Sequence, residues 1–321
     1  MLIAAAQIAP VLLDRSATLG RVVASIDAAS KAGASLVAFG EVMVPGYPVW
    51  TERTGGARFD NALQKTLHAR YLEQAIDLEA GDLEPVQRIA ADTKTTVVIG
   101  IAERPQDRGG HTLYASCVTV GPDGSIASSH RKLMPTYEER LSWGPGDAHG
   151  LVTHRFETLA PFTLGSLNCW ENWMPLPRAA LYAQGEDLHV AIWPGCDHNT
   201  RDITRFLARE GRSYVLSASA RLSPDDIPAD LPARDDIVGV LRDDGLFHNG
   251  GSAIAGPDGE WITPPDTATD GLVLAEISHA RVLEERHNFD PSGHYARPEL
   301  LGLDVDRRRI TSARFHDDSA N

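Results

Sequence analysis

The first forty residues alternate between a short apolar segment, a longer amphipathic segment and a second apolar segment. Residues 2–8 are almost wholly apolar and predict a buried strand. Ser16 can cap a helix that extends to about Lys31, with apolar side chains on one face, and Gly33 follows its end. Residues 35–39 predict a second strand. Together these segments form a β–α–β unit, so we expect an α/β protein with a mostly parallel arrangement.

Segments of both types recur along the rest of the chain without an internal repeat or a linker, which predicts one domain with a projecting C-terminal tail. We expect helices over residues 59–80, 84–93, 178–185 and 202–210, and strands over residues 95–102, 162–167, 188–193 and 214–218. Two hairpins are predicted, formed by residues 113–120 with 125–130 and by residues 250–259 with 271–276, and residues 223–244 are predicted to be a long surface loop.

Cys169 lies at the turn between the strand predicted over 162–167 and the helix predicted over 178–185. A thiol near a helix N-terminus meets free backbone N–H groups and the positive end of the helix dipole, which favour the nucleophilic thiolate. The alternative is that Cys169 is a small buried hydrophobic residue, which is the commoner role of a free cysteine. We interpret Cys117 and Cys196 as packing residues of that kind.

Two further reactive side chains follow predicted strands. Glu41 comes just after residues 35–39, and Lys132 follows the second strand of the first hairpin. Functional groups of α/β sheets gather at the carboxyl ends of strands. If they converge there with Cys169, they would provide a general base, a group that stabilises negative charge and a nucleophile. By default, however, a glutamate or lysine at a strand end is a solvated surface charge.

Composition limits the partners and the compartment. The chain carries 30 Lys and Arg against 44 Asp and Glu, a net charge of −14, which argues against nucleic acid or an anionic membrane as a partner. Three cysteines form no disulfide framework, so we expect a reducing, cytoplasmic setting. No Cys-x-x-Cys pair occurs, and neither a metal nor an organic cofactor is predicted. Gln7, Pro10 and Asp14 interrupt the apolar N-terminus, which argues against a signal peptide or a membrane span.

Three segments in order along the chain resemble the signature segments of the nitrilase superfamily, the carbon-nitrogen hydrolases: FGEVMVPGYP at 39–48, HRKLMPT at 130–136 and GSLNCWEN at 165–172. The CWEN sequence, PTYEERLSWGPGD at 135–147 and NFDPSGHYARP at 288–298 are similar to the nitrilase branch. The resemblance implies a four-layer α-β-β-α sandwich, which a homodimer extends to eight layers. It also implies a hydrolase domain over residues 1–290 and an interface-related tail over residues 291–321.

The resemblance further implies a Glu41–Lys132–Cys169 triad that hydrolyses a nitrile to a carboxylic acid and ammonia through covalent thioimidate and thioester intermediates. Glu139 matches a second active-site glutamate of the family, with Glu138 as the competing assignment. The residues expected to bind substrate flank these motifs: Tyr47, Trp50, Thr136, Tyr137, Trp170, Trp193 and Pro194. Family tails help to build spiral oligomers, whereas the tail of this chain is short and closes with DDSAN at 317–321, so the resemblance leaves open whether a higher or spiral homo-oligomer forms beyond the dimer.

Other functions remain open at this stage. An amidase or carbamoylase would use the same triad, and so would a nitrilase that releases much amide or acts on cyanide. A non-catalytic scaffold could keep the fold, although the intact Glu41, Lys132 and Cys169 argue against it. A papain-like cysteine hydrolase would depend on a histidine and would tolerate the loss of Lys132.

Overall fold

The structure is a computed structural model that describes residues 1–239, 241, 244–311 and 313. In these residues the strands are β1 (Leu2–Gln7), β2 (Ala34–Phe39), β3 (Thr96–Glu103), β4 (Tyr114–Val120), β5 (Ile126–Arg131), β6 (Leu164–Asn168), β7 (Leu188–Trp193), β8 (Tyr214–Ser219), β9 (Arg221–Leu222), β10 (His248–Asn249), β11 (Ser252–Ala255), β12 (Trp261–Asp266) and β13 (Gly271–Glu276). The α-helices are α1 (Arg15–Lys31), α2 (Trp50–Arg53), α3 (Ala62–Gln74), α4 (Glu84–Thr93), α5 (Pro175–Tyr182), α6 (Asp197–Thr200), α7 (Ile203–Gly211), α8 (Arg234–Val238) and α9 (His279–Arg286).

The longer strands form two mixed sheets. The first sheet has the order β13-β1-β2-β3-β4-β5, in which β1, β2 and β3 are parallel and the other pairs are antiparallel. The second sheet has the order β12-β11-β8-β7-β6, in which β6, β7 and β8 are parallel. The central parallel strands are buried on both faces, which is why the sequence shows nearly continuous apolar runs there.

The two sheets pack face to face, and the alternation of side chains along each strand shows how. Ile3 and Leu36 on one face of the first sheet share a buried cluster with Val190 of the second sheet. Phe39 on the opposite face packs in a cluster with Val22 of α1. Helices α5 and α7 cover the outer face of the second sheet. The layers therefore run α-β-β-α, which confirms the predicted sandwich, whereas the eight-layer dimer stays a prediction.

Most predicted elements are present, but capping shifts their ends. Helix α1 begins earlier than expected because Asp14, rather than Ser16, accepts a 2.9 Å hydrogen bond from the Ala17 N–H. The helix predicted over 59–80 is shorter, since Asn61 caps the start of α3. The loop predicted over 223–244 contains α8, and its residues 240, 242 and 243 lie outside the described part of the chain.

The second predicted hairpin is wrong. Strand β11 pairs with β12, while β13 leaves that sheet and pairs with β1 at the edge of the other one. Pro264 and Pro265 lie in β12, so the segment carries a poor strand signal. Prolines are tolerated there because β12 is an edge strand with a single neighbour. The last described strand, β13, therefore forms one edge of the first sheet.

The C-terminal tail returns to the domain. Arg309 forms a 3.0 Å ion pair with Asp147 and donates a 2.9 Å hydrogen bond to the carbonyl oxygen of Ser129. The N–H of Ile310 also donates to Asp147. The ending at 317–321 that the sequence singled out lies outside the described residues. Among the described helices, none combines the length and hydrophobicity required to cross a membrane.

Candidate active site

Glu41, Lys132 and Cys169 each follow the end of a strand, and the structure brings them together. Glu41 lies two residues after β2, and Lys132 and Cys169 directly follow β5 and β6. Because β2 and β5 belong to one sheet and β6 to the other, the site lies where the two sheets meet. Ligand-type atoms of Glu41, Glu139 and Cys169 all lie within 4.8 Å of one another. Nζ of Lys132 lies 2.9 Å from Oε1 of Glu41, so Glu41, Lys132 and Cys169 converge, as their positions at strand ends predict.

The backbone is unusual at two of these turns. Val42 has φ +45° and Cys169 has φ +44°, a left-handed conformation that non-glycine residues rarely adopt. A hydrogen bond holds each turn. The Glu41 N–H donates to the carbonyl oxygen of Trp193 at 2.9 Å, and the Asn172 side chain donates to the carbonyl oxygen of Cys169 at 2.9 Å. Backbone strain held in this way is typical of sites that aim a reactive side chain.

Lys132 is the positive centre of the site. Its Nζ lies 2.9 Å from Oε1 of Glu41 and donates a 2.7 Å hydrogen bond to Oε2 of Glu139, and all three side chains are buried. Burial opposes the ammonium form, but attraction to Cys169 in its ionised form and to the carboxylates of Glu41 and Glu139 outweighs burial and raises the pKa of Lys132. A permanent positive charge in a site without bulk water can stabilise negative charge that develops during a reaction.

Glu41 has the properties of a general base. Burial raises its pKa, Lys132 opposes that shift and Glu139 adds to it, which leaves the pKa at about 7. Within the described part of the chain, neither carboxylate oxygen of Glu41 makes a well-aligned hydrogen bond, although Lys132 lies close by. A carboxylate that retains this accepting capacity, with a pKa near neutrality, can take a proton from a neighbouring thiol.

The resting state of Cys169 differs from the sequence-based expectation. Cys169 begins a 3₁₀ turn over Cys169–Trp173, and the α-helix starts only at Pro175. No long helix dipole therefore favours the thiolate. Burial, followed by the negative charge of Glu41, raises the pKa of the Cys169 thiol well above its usual value, against the opposing effects of Lys132 and the Trp170 N–H. Cys169 is a thiol at rest, so it needs a base to become a nucleophile.

Glu139, and not Glu138, contacts the reactive lysine. Glu139 is buried in a 3₁₀ turn over Tyr137–Leu141, where it also accepts a 2.6 Å hydrogen bond from the Thr136 N–H. The hydroxyl of Tyr47 donates to its other oxygen at 2.9 Å. Burial raises the pKa of Tyr47 and thereby keeps it a donor. The sequence placed Tyr47 only in the pocket wall, and its contact with Glu139 was not foreseen.

Comparison with known proteins identifies the family to which this site belongs. Residues 2–286 match the carbon-nitrogen hydrolase family. The chain belongs to the carbon-nitrogen hydrolase family. It is 32% identical over 325 residues to an aliphatic nitrilase of Rhodococcus rhodochrous, an alignment that covers 98% of this chain and 81% of the relative. It is 30% identical to an arylacetonitrilase of Aspergillus kawachii, covering 95% of this chain and 91% of the relative.

The same fold occurs among solved structures. A carbon-nitrogen hydrolase of Helicobacter pylori superposes with a TM-score of 0.67 at 19% identity, covering 93% of this chain and 96% of that one. The family and the fold that the three sequence motifs suggested are therefore confirmed. As a carbon-nitrogen hydrolase, the protein is an enzyme that acts on C–N bonds.

Beside the triad of this carbon-nitrogen hydrolase lies a cavity of about 250 Å³. Tyr47, Glu139, Pro194 and Phe247 are among the residues that line it. Cys169 is only 3% exposed and is not among the lining residues, whereas Glu139, which contacts Lys132, is. Two of the predicted substrate-binding residues, Tyr47 and Pro194, therefore face open space.

The other predicted substrate-binding residues of the hydrolase occupy different environments. Trp50 is buried and packs edge-on against Tyr71, with 5.1 Å between ring centroids. Trp193 is also buried, and its indole N–H donates to the hydroxyl of Ser217. Thr136 caps the turn that carries Glu139. The remaining two aromatic side chains face outward: Tyr137 is 83% exposed and Trp170 is 53% exposed.

Several buried polar residues support the catalytic turns of the hydrolase. His130 pairs with Glu171, and His189 lies between Glu186 and Asn172. Both histidines are thus hydrogen-bonded within the fold, as we expected. The sequence treated Glu171 and Asn172 only as markers of the nitrilase branch. Their contacts become visible only when residues distant in sequence are brought together.

Glu41, Glu139 and Cys169 lie close enough together to share a cation. Lys132 already contacts both carboxylates of this group, at 2.9 Å and 2.7 Å. The negative charge of the cluster is therefore met by an ammonium group of the hydrolase itself, and a metal ion would have to compete with it.

Proposed function

We propose that this hydrolase converts an organic nitrile into a carboxylic acid and ammonia. The observation that carries the proposal is the buried group in which Lys132 contacts Glu41 and Glu139, with the thiol of Cys169 less than 5 Å from both carboxylates. Two relatives that match nearly the whole chain at 30% and 32% identity are an arylacetonitrilase and an aliphatic nitrilase. The triad supplies each chemical role that nitrile hydrolysis requires.

In the first step, Glu41 takes the proton of Cys169 and the sulfur adds to the nitrile carbon. The new C–S bond forms as one π bond of the nitrile breaks, and the nitrogen takes the proton to give a thioimidate. The near-neutral pKa of Glu41 suits both transfers, since a base and an acid of similar strength are needed in turn. The raised pKa of Cys169 explains why the step requires this base.

In the second step, Glu41 removes a proton from water, and the oxygen attacks the thioimidate carbon. Lys132 and the N–H of Trp170 stabilise the negative charge of the tetrahedral intermediate. Protonated nitrogen then leaves as ammonia, and a thioester remains on Cys169. A second water molecule breaks the C–S bond, releases the acid and returns the thiol. In total, two water molecules are consumed for each nitrile.

The substrate is proposed to enter through the cavity lined by Tyr47 and Pro194. Trp193 and Trp50, being buried, would shape this region from behind, and Thr136 would hold Glu139 in place. Tyr137 and Trp170 lie on the surface of a single protomer, so a role at the substrate would require a partner to cover them. One relative is an aliphatic nitrilase and the other an arylacetonitrilase, so the proposed substrates include both aliphatic and arylaliphatic nitriles.

We also propose that the protein works as a homodimer in which two sandwiches stack into eight layers. Helices α5 and α7 form the outer layer beside Cys169, and together with the 3₁₀ turn over Cys169–Trp173 and with Met174 they form an exposed apolar surface. Its members are large hydrophobic side chains that are more than a third exposed: Trp170, Trp173, Met174, Leu176 and Phe206. Apolar surface of this kind on a globular protein commonly marks an interface.

We also propose domain limits and a compartment for the protein. Residues 1–290 would form the hydrolase domain, which the family match over 2–286 supports, and residues 291–321 would form an interface-related tail. Cys117 and Cys169 are free thiols, which supports a reducing compartment such as the cytoplasm.

The test is ammonia release from a panel of nitriles and their matching amides, measured for the wild type and for Cys169→Ala. The buried packing cysteine provides a matched control, Cys117→Ala. Nitrile turnover that is lost in Cys169→Ala and kept in Cys117→Ala is the expected result. Turnover of amides alone would overturn the proposal and place the enzyme among amidases. Turnover that survives in Cys169→Ala would remove the nucleophile from the mechanism.

A further inference from the structure

A buried histidine–glutamate pair lies beside the catalytic residues. The Nε2 atom of His130 lies 2.9 Å from both carboxylate oxygens of Glu171, and neither side chain is more than 1% exposed. The carboxylate of Glu171 also accepts hydrogen bonds from two backbone N–H groups, that of Leu133 at 2.9 Å and that of Asn168 at 3.1 Å. One carboxylate therefore holds three partners.

The positions of these partners relate the pair to catalysis. His130, near the end of β5 in the first sheet, and Leu133 lie on either side of Lys132. Asn168, the last residue of β6 in the second sheet, and Glu171 lie on either side of Cys169. Through His130 and Leu133, Glu171 therefore links the cysteine segment to the lysine segment, and through Asn168 it closes the turn that carries Cys169. In the proposed reaction, neither His130 nor Glu171 exchanges a proton or touches the substrate.

The charge of Glu171 is needed for this arrangement. Burial opposes its ionisation, but His130 and the N–H groups of Leu133 and Asn168 outweigh burial and lower the pKa of Glu171. An ionised carboxylate accepts from several donors at once, whereas a neutral amide of the same shape presents one acceptor and one donor. Replacing the carboxylate by an amide would therefore set an N–H group against another donor.

We propose that Glu171, through His130 and the two backbone N–H groups, is a positioning residue that sets the distance between Lys132 and Cys169. This inference rests on the proposed function for its consequence in catalysis and on the geometry above for its structural content. A displacement of about 1 Å in a catalytic constellation costs about a hundredfold in rate. Loss of the pair is therefore expected to lower kcat while KM changes little.

The chain offers a matched control for this test. Asp187 pairs with His279 at 2.9 Å and also accepts a 2.7 Å hydrogen bond from the Thr163 N–H. This pair is also mostly buried, but it lies just before β7, at the end of the sheet opposite to the catalytic turns. Asp187→Asn therefore removes a similar charge from a similar network without touching the site.

The experiment compares wild type, Glu171→Gln, His130→Gln and Asp187→Asn. For each, the unfolding midpoint, kcat and KM for a nitrile, and the rate at which iodoacetamide alkylates Cys169 are measured, with the modified peptide identified by mass. We expect Glu171→Gln to lose about tenfold to a hundredfold in kcat, with KM within about threefold of wild type. His130→Gln, which keeps both backbone bonds, is expected to lose less. Asp187→Asn is expected to lower the unfolding midpoint similarly and to keep kcat within about twofold.

Two results would overturn the proposal: wild-type kcat and alkylation rate in a folded Glu171→Gln or His130→Gln protein, or an equal loss of kcat in Asp187→Asn. If Glu171→Gln does not fold, the comparison of His130→Gln with Asp187→Asn decides. Alkylation requires no nitrile. If the wild type fails to hydrolyse nitriles, an altered alkylation rate confined to the Glu171 and His130 variants still supports the positioning role, and an unaltered rate refutes it.

Discussion

The ammonium group of Lys132 lies 2.9 Å from a carboxylate oxygen of Glu41, and neither side chain is exposed to solvent. This ion pair lowers the pKa of Glu41, but burial raises it by more, so the pKa settles at about 7. A glutamate with an ordinary pKa would be ionised at all physiological pH values and would be a weaker base. Burial and the contact with Lys132 together therefore place the titration of Glu41 within the pH range in which the enzyme can be assayed.

The first prediction concerns the pH dependence of catalysis. Because only ionised Glu41 can take the proton of Cys169, kcat/KM should fall about tenfold for each pH unit below about 7 and level off above it. The measurement is a pH–rate profile between pH 5 and 8.5 with a neutral nitrile. A profile that stays flat through pH 6 would contradict the assignment of Glu41 as the base.

The same titration affects stability, which provides an independent check. The pKa of Glu41 in the folded protein lies above its ordinary value of 4.5, so the folded state binds this proton more tightly than the unfolded state does. The stabilisation from this group is therefore fully present below pH 4.5 and is lost as the pH rises through 7. Glu41→Gln lacks this titration, so the difference between its unfolding midpoint and that of wild type should shift in favour of the variant as the pH rises from 5 to 8.

The second prediction concerns the hydroxyl group that orients Glu139. Tyr47→Phe removes the 2.9 Å hydrogen bond to that carboxylate while keeping the aromatic ring. Hydrogen bonds to charged groups contribute about 1.5–3 kcal/mol, so kcat/KM should fall about tenfold to a hundredfold. Tyr214→Phe is the control, since it removes two hydrogen bonds to the backbone of Ser278 far from the site. Equal kinetic losses in both variants would contradict a specific role of Tyr47.

The third prediction concerns the close approach of two backbones behind Glu41. A Cβ atom added at Gly100 would lie 2.6 Å from the Cα of Glu41 and would also collide with the backbone of Gly40 and Val42. Gly100→Ala should therefore displace the turn that carries the base, destabilise the protein by about 1–3 kcal/mol and remove most activity. The control is Gly20→Ala in α1, where nothing lies within 4 Å of the added atom.

For that control, a small gain of about 0.5–1 kcal/mol is expected, because alanine is favoured over glycine inside a helix. Chemical denaturation and kcat for the same preparations are the measurements. Wild-type activity in Gly100→Ala would show that the turn at Glu41 can shift without cost.

The fourth prediction concerns the tail. Arg309→Ala removes the ion pair with buried Asp147 and the hydrogen bond to the Ser129 carbonyl, so the tail should detach more often. Limited trypsin proteolysis should then cleave the tail several times faster than in wild type. Arg308→Ala is the matched control, because Arg308 is well exposed and pairs with Asp306 two residues away. Equal acceleration in both variants would show that removal of Arg309 does not specifically release the tail.

The fifth prediction concerns the proposed dimer. Leu176 on α5 and Leu283 on α9 are both 63% exposed, but only Leu176 belongs to the apolar surface beside Cys169. Leu176→Asp should shift the protein toward monomer and lower activity per protomer on dilution, whereas Leu283→Asp should do neither. Sedimentation velocity and assays over the same concentration range are the measurements. Wild-type protein that is monomeric and fully active would contradict the proposal.

The sequence by itself determined the class of fold and the identity of the reactive side chains. Strands β1, β2 and β7 and helix α4 follow from apolar patterns whose members lie within a few residues of one another. Glu41, Lys132 and Cys169 could be named because each lies two residues after the end of a predicted strand, and because three motifs in order are specific to one family.

Only the tertiary structure decided the features that depend on residues far apart in the chain. The partner of β13 is β1, about 270 residues away, and no local pattern distinguishes it from β11. The raised pKa of Cys169 comes from burial and from Glu41, neither of which its neighbours in sequence reveal. The contacts of Tyr47 with Glu139 and of His130 with Glu171 join separate segments. Burial and electrostatics are set by what surrounds an atom in space, whereas strand and helix patterns are set by neighbours along the chain.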